Sequence, residues 1–316
     1  MQYLVTGKEM KLLDQNTSSH FHVPPVVLME QAAGAFVQKL LSFGRQLKKV
    51  LVVCGYGNNG GDGIAIARLL NQNHIPAYIY LCMDKEEKDD NLYQMQKKIY
   101  RSYGYPQVTE IAAEDVYDCV IDAVFGTGLS RQISGAPEQT IDCMNRMGGW
   151  KVAVDIASGV SADGGEIMGC AFAADDTFTF SFQKIGQTIW PGREASGSVS
   201  VLPIGITEES FLEKKPSFAT LCDDDLSLLP KRMDHSNKGT YGRLLVIAGS
   251  HNMAGAALFA AKAAYRTGCG LVKIYTAEEN RVSLQTMLPE AILSTYDKKY
   301  DEKQLSDELK WADAVV

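Results

Sequence analysis

From Lys48 onward, short β-branched apolar runs alternate with helical patterns, and few folds accept that order. Lys48 to Cys54, Ala77 to Cys82, Cys119 to Phe125, Lys151 to Ile156, Asp176 to Phe182 and Val199 to Ile204 read as strands. Ile64 to Leu70, Asn91 to Tyr103 and Pro137 to Met147 read as helices, the last with a proline in its first turn. Strands separated by helices cannot pair as hairpins, so the pattern predicts an α/β fold: a parallel sheet with helices on both faces. Upstream, Thr6-Gly7-Lys8-Glu9 fits a capping box that opens a helix, with Met10 and Leu13 at helical spacing. After Pro24-Pro25, Val26 to Phe43 is a second helix, whose small residues Ala32 to Ala35 suit close packing.

The pattern is interrupted where charged Glu208, Glu209, Glu213, Lys214 and Lys215 precede Pro216. That stretch reads as a linker between a first domain at residues 1–215 and a second at 216–316. Alternation then resumes with Arg243 to Ala248 (strand), Ala254 to Thr267 (helix), Leu271 to Tyr275 (strand) and Glu279 to Met287 (helix). Ala312 to Val316 reads as a further strand, so the second domain is expected to be incomplete. A net charge of −7 argues against a nucleic-acid partner held by bulk positive charge. No run approaches the ~18–20 apolar residues of a membrane span, and the N-terminus lacks a basic stretch followed by an apolar core. The seven cysteines are scattered, odd in number and never spaced CxxC. They read as free thiols of a reducing, cytoplasmic compartment rather than as disulfides or metal ligands.

Three polar, glycine-rich segments fall at the carboxyl ends of expected strands, where parallel sheets collect ligands. The first is Gly55-Tyr56-Gly57-Asn58-Asn59-Gly60-Gly61-Asp62-Gly63. It is either a ligand loop or a glycine-rich turn without a ligand. Residues 55–60 also fit G-x-G-x-x-G, the dinucleotide fingerprint of an NAD-dependent dehydrogenase, with Asp84 as a late acidic partner. That reading leaves Asn58, Asn59 and Asp62 unexplained, whereas direct contact with a polar ligand or metal ion explains them. The second segment runs from Asp122 to Arg131, where Gly126-Thr127-Gly128 and Arg131 suit an anion cradle. Alternatively, Arg131 makes a surface salt bridge and Asp122 caps a turn. The third is Asp155-Ile156-Ala157-Ser158-Gly159-Val160, followed by Asp163-Gly164.

With Leu28-Met29-Glu30-Gln31-Ala32-Ala33-Gly34 upstream, these segments resemble the NAD(P)H-hydrate epimerase (YjeF N-terminal) family across residues 1–215. The resemblance implies a Rossmann-like three-layer α/β/α sandwich with a mostly parallel sheet. It also implies interconversion of the R and S forms of NAD(P)HX, a reduced cofactor hydrated at C6 of the nicotinamide ring. Carried over by motif, Asn58, Asn59, Gly60, Gly61 and Asp62, with Gly126, Thr127, Gly128, Leu129, Ser130, Arg131 and Gln132, would bind this small-molecule substrate. Asn59, Asp122 and Ser158 would hold a potassium ion, Asp122 being expected at a loop tip. Asp155 would contact the reacting ring as the catalytic carboxylate. Lys184, after an expected strand, is either its acid–base or phosphate partner or a solvated surface lysine. The family implies a homodimer or larger homo-oligomer, with no nucleic-acid or membrane partner.

His235 to Arg243, Val246 to Ser250, Met253 to Ala257, Gly268 to Val272 and Gln285 to Glu290 resemble the start of the ADP-dependent NAD(P)H-hydrate dehydratase, a ribokinase-like α/β domain. That resemblance implies ADP (or ATP) as cofactor of a full-length parent and puts Gly255 and Ala256 near the hydrate. The family's glycine-rich nucleotide loop and Gly-Asp segment have no equivalent here, so the chain is expected to lack the dehydratase's catalytic segment. An interaction module that has lost its catalytic set is the reading from another class. Retention of Asn59, Asp122, Asp155 and Ser158 favours the enzyme.

Overall fold

The computed structural model describes residues 1–83 and 91–316, so Asp84 lies outside the described residues. It divides into two compact units, Met1–Leu226 and Ser227–Val316. In chain order the first contains β1 (Gln2–Val5), α1 (Gly7–Ser19), α2 (Pro25–Ser42), β2 (Val50–Cys54), α3 (Asn58–Gln72), β3 (Ala77–Leu81), α4 (Leu92–Ser102), β4 (Gln107–Val108) and β5 (Cys119–Ala123). It continues with α5 (Ala136–Arg146), β6 (Trp150–Val154), β7 (Asp176–Phe180), β8 (Gln183–Lys184), α6 (Gly192–Ser196), β9 (Ser198–Leu202) and β10 (Phe218–Thr220).

The main sheet has seven strands in the order β4-β3-β2-β5-β6-β7-β9, all parallel. Every residue of β2 and β5 is buried, as expected of strands covered on both faces. Val50, Val52 and Cys54 pack toward α2, α3 and α4, whereas Leu51 and Val53 pack toward α5 and the segment around Phe172. Strand order reverses between β2 and β5, and their carboxyl ends form the switch point where α/β sheets bind ligands.

Two departures from the sequence pattern shape that point. The expected helix at Ile64 begins at Asn58, so Gly60, Gly61 and Gly63 lie inside α3 rather than in a loop. Their role is close packing. A Cβ on Gly60 would sit 1.7 Å from the Gly55 carbonyl oxygen, and one on Gly63 would sit 2.5 Å from the Ala123 Cβ. Within residues 55–63 only Gly57, with φ of 134°, uses the backbone freedom of glycine. The second departure is a small sheet, β10-β1-β8, absent from the sequence pattern. Strand β10 pairs antiparallel with β1, and β1 pairs in parallel with β8, with Val5 opposite Lys184. The expected domain boundary at 215/216 falls before β10, whereas the structural division falls after it.

The second unit contains β11 (Arg243–Ile247), α7 (Gly255–Thr267), β12 (Leu271–Ala277), α8 (Arg281–Met287), β13 (Ile292–Tyr296), α9 (Glu302–Trp311) and β14 (Ala314–Val315). Its parallel sheet has the order β13-β12-β11-β14, with a core of Val246, Val272 and Ile274 against Leu258, Ala261 and Leu284.

Candidate active site

A cavity of about 770 Å³ opens at the switch point of the first unit. Its walls come from α1 (Met10, Lys11, Asp14), α2 (Leu28, Met29, Ala32), the β2–α3 junction (Tyr56 to Asn59, with Asp62), the segment after β5 (Val124 to Arg131), and Asp155, Phe180 and Ile204. Apolar residues such as Met10, Leu28, Met29, Phe180 and Ile204 share the lining with polar and charged ones, the usual make-up of a small-molecule site.

Asp155 immediately follows β6 and takes a left-handed backbone with φ of 66°, unusual for a residue with a side chain. Such conformations cost roughly 1–2 kcal/mol and persist where surrounding bonds enforce them. Here the enforcement is visible. The Asp155 N–H donates to the Phe178 carbonyl at 2.9 Å, and the Gln187 side-chain amide donates to the Asp155 carbonyl at 2.8 Å. The carboxylate accepts from the Phe180 N–H at 2.9 Å, from the Thr179 hydroxyl at 3.2 Å and from the Lys184 ammonium. Lys184 is fully buried and also donates to Thr179 Oγ1 at 2.9 Å. It is therefore no solvated lysine. Nor can it meet a phosphate, because its ammonium faces Asp155, Thr179 and the Phe180 carbonyl rather than the cavity.

Asp122 is the opposite case. It lies inside β5 with no exposed surface, not at the expected loop tip. Its Oδ2 accepts from the Ser158 N–H at 2.7 Å, and its Oδ1 accepts from the Ser158 hydroxyl at 2.6 Å and the Val124 N–H at 3.1 Å. Ser158 Oγ in turn accepts from the Phe125 N–H at 2.8 Å, tying the ends of β5 and β6 together. Burial pushes the Asp122 carboxyl up to about 6, against the opposing pull of those hydrogen bonds. No cation pairs with it among the described residues.

Asn59, in the first turn of α3, packs against Gly126, and both atoms of its side-chain amide are buried without a hydrogen-bond partner. Such orphans are rare and call for a missing partner. One carboxylate, one amide oxygen and one hydroxyl are oxygen donors of the kind that fit a hard cation. The described residues contain no cluster of three or more His, Cys, Asp or Glu side chains that could hold a metal ion.

Of the remaining expected residues, Asn58, Gly126, Thr127, Gly128, Leu129, Ser130 and Arg131 line the cavity. Gly60 and Gly61 are buried in α3, and Gln132 is exposed outside the lining. Asp62 lines the cavity, and loss of water raises its carboxyl well above the usual range, with the Asp155 and Asp14 charges adding and Lys184 opposing. Asp14 was not foreseen. It reads from sequence as a polar position on an amphipathic helix, and only the packing of α1 turns it toward the cavity. Although it is open to the cavity, the surrounding walls push its carboxyl up to about 6, the Asp155 charge adding and Lys184 opposing. In the second unit, Gly255 and Ala256 are exposed at the start of α7, and nothing lies within 4 Å of a Cβ built on Gly255.

The model of the YjeF-related protein N-terminus matches residues 25–186, and that of NAD(P)H-hydrate dehydratase matches residues 244–316. The expectation that the dehydratase's catalytic segment is lacking is not borne out, since the region from β11 to β14 carries that family's pattern. An NAD(P)H-hydrate epimerase of Oenococcus oeni is 44% identical over 207 residues, covering 65% of this chain and 97% of the relative. A bifunctional NAD(P)H-hydrate repair enzyme of Moorella thermoacetica is 35% identical over 285 residues, covering 85% of this chain and 53% of the relative. The chain thus spans about half the length of its bifunctional relatives. The crystal structure of yeast YNL200c shares the fold, with a TM-score of 0.55 at 18% identity over 64% of this chain and 88% of that one. The chain belongs to the YjeF-related N-terminal family, with an NAD(P)H-hydrate dehydratase segment following in the same polypeptide.

Proposed function

We propose that the first region, residues 1–215, is an NAD(P)H-hydrate epimerase that interconverts R- and S-NAD(P)HX. The observation that carries this reading is Asp155, a carboxylate that reaches the cavity while a buried ammonium holds it from behind. Inverting C6 breaks and remakes a carbon–oxygen bond. Either water leaves to give an iminium ion and returns to the other face, or the ring opens to an aldehyde and recloses. Both routes move a proton at that oxygen, which is the task of Asp155. A fixed negative charge there also favours positive charge developing on the ring. Lys184 acts through Asp155, keeping it oriented.

The remaining residues bind. Asn58, Asn59 and Asp62 hold the substrate at the start of α3, with Gly60 and Gly61 allowing the close packing that sets them there. Gly126, Thr127 and Gly128 cradle its phosphates through backbone N–H groups together with the Arg131 guanidinium, and Leu129 and Ser130 line the same wall, with Gln132 just beyond it. A potassium ion held by Asn59, Asp122 and Ser158 would supply fixed positive charge against the buried Asp122 carboxylate.

The same reading gives residues 216–316 to an ADP-dependent dehydratase acting on the S hydrate, with Gly255 and Ala256 beside that substrate. It places the protein in the cytoplasm as a homodimer or larger homo-oligomer. All seven cysteines are free, which suits a reducing compartment. Among the described residues, no helix is long and apolar enough to cross a membrane.

Chiral separation of R- and S-NADHX after incubation with the protein tests the epimerase reading. Equilibration faster than an enzyme-free control is expected. A rate equal to the control, or turnover of intact NAD⁺ with a reducible substrate instead, would overturn it.

A further inference from the structure

We propose that Asp14, on α1, is the second acid–base residue of this site, serving the face of the nicotinamide ring opposite Asp155. The inference rests on the epimerase reading and deepens it. An epimerase must exchange a proton with an oxygen that leaves from one face and with one that returns to the other. A single side chain can do both only if it moves. Asp155 cannot move freely, because Lys184, Thr179 and the Phe180 N–H fix its carboxylate, and Gln187 and Phe178 fix its backbone.

Asp14 has the complementary properties. It enters the same cavity from a different element and is exposed to it. No described residue makes a hydrogen bond or ion pair with its side chain, so the carboxyl is free to take or give a proton. The charged and titratable groups facing the cavity around it are Lys11 on α1, Tyr56 between β2 and α3, Asp62 on α3, Arg131 after β5 and Asp155 after β6, with Lys184 on β8 behind Asp155. Three carboxyl groups thus share a site whose buried cation is already committed to one of them. Of the other two, Asp62 is the more enclosed and is held protonated well above the usual carboxylate range, whereas loss of water, with the Asp155 charge adding and Lys184 opposing, pushes Asp14 only up to about 6. A carboxyl poised near neutrality can serve as acid and base in turn.

In the water-loss route, protonated Asp14 gives its proton to the C6 hydroxyl oxygen. The C–O bond breaks with its electron pair on oxygen, and water leaves. The ring nitrogen's lone pair forms the C=N⁺ bond. A solvent water then adds to C6 from the Asp155 side, its oxygen pair forming the new bond while the nitrogen recovers its lone pair. Its surplus proton passes to Asp155 and returns through solvent to Asp14. Traffic in the other direction reverses the two roles. Atoms and charge balance, and no further reactant is needed.

The test is the pH dependence of R-to-S conversion between pH 5 and 9, corrected for enzyme-free epimerisation, in wild type, Asp14→Asn, Asp14→Glu and Asp62→Asn. Wild type should bend near pH 6. Asp14→Asn should lose roughly 10²–10⁴-fold in kcat with KM little changed, and its bend should vanish. Asp14→Glu should restore a bend. Should Asp14→Asn misfold by circular dichroism, Asp14→Ser reads the same outcome. An unaltered kcat and bend in a folded, Asp14-substituted protein overturns the proposal, as does a bend lost in Asp62→Asn but kept in Asp14→Asn. A wild type that does not epimerise removes the underlying reading, and the proposal with it.

Discussion

Asp122 and Asp155 stand at the ends of neighbouring parallel strands, yet they are built in opposite ways. Asp155 has its cation supplied from within the chain and presents its carboxylate to the cavity, with 14% of its side chain exposed. Asp122 is sealed and bonded only to neutral donors, and the buried Asn59 amide in the first turn of α3 has no partner. One site is electrostatically complete and open to the substrate. The other is closed and short of positive charge. A carboxylate meant to react needs access and a fixed orientation, whereas one meant to hold a cation needs a dry pocket and an unfilled demand for charge.

The sharpest break in this contrast is Lys184→Met. Removing one partner of a buried ion pair costs about 3–5 kcal/mol because the remaining charge is stranded. Denaturant unfolding should show that loss, and epimerisation should collapse with it. Unchanged stability would mean that Asp155 is not held as described.

Truncation gives the next largest effect. A chain ending at Lys215 loses β10, the antiparallel partner of β1, which in turn aligns β8 and Lys184. Each lost backbone hydrogen bond is worth about 0.5–1.5 kcal/mol. A fragment of residues 1–226 should therefore melt above one of residues 1–215 and keep more activity. Identical melting would detach β10 from the site.

Exchanging potassium chloride for choline chloride probes Asp122 from the other side. An ion that binds only the folded state stabilises by roughly 2.7 kcal/mol at a hundred times its Kd. Wild type should melt higher in potassium, and Asn59→Ala should erase most of the difference. An equal potassium effect in the variant would remove Asn59 from the ion site.

The smallest effect concerns Asp14 and stability. Its folded value of about 6 lies above the ordinary 3.8, so its contribution is full below pH 4 and is lost as pH rises through 6. Asp14→Asn should match wild type near pH 4 and melt ~1–2 °C higher at pH 8, a modest gain because the side chain is open to water. A variant that is less stable at pH 8 would contradict the raised value.

The sheet was legible in the sequence because buried parallel strands such as Val50–Cys54 are unbroken apolar runs. So was the first helix, whose Thr6 and Glu9 cap each other as the pattern predicts. The small sheet was not, since β8 and β10 have two and three residues and too little pattern to register. The glycine segment misled for a different reason. Gly60 and Gly63 are there to let α3 approach Gly55 and Ala123, and composition cannot distinguish that need from a turn. The partner of Lys184 lies 29 residues away, a separation that no local pattern reports, and Lys184 itself sits in a two-residue strand paired with β1. Asp14 carries no local signal at all, because its role depends on where α1 docks.

Steady-state epimerisation by Asp155→Asn and Asp122→Asn at several potassium concentrations separates the roles of the two carboxylates. Asp155→Asn should lose kcat by roughly 10²–10⁴-fold while keeping KM and its response to potassium. Asp122→Asn should raise KM and flatten the potassium response, with kcat much less affected. Two variants that fail in the same way, or an Asp155→Asn protein that turns over at the native rate, would contradict the account.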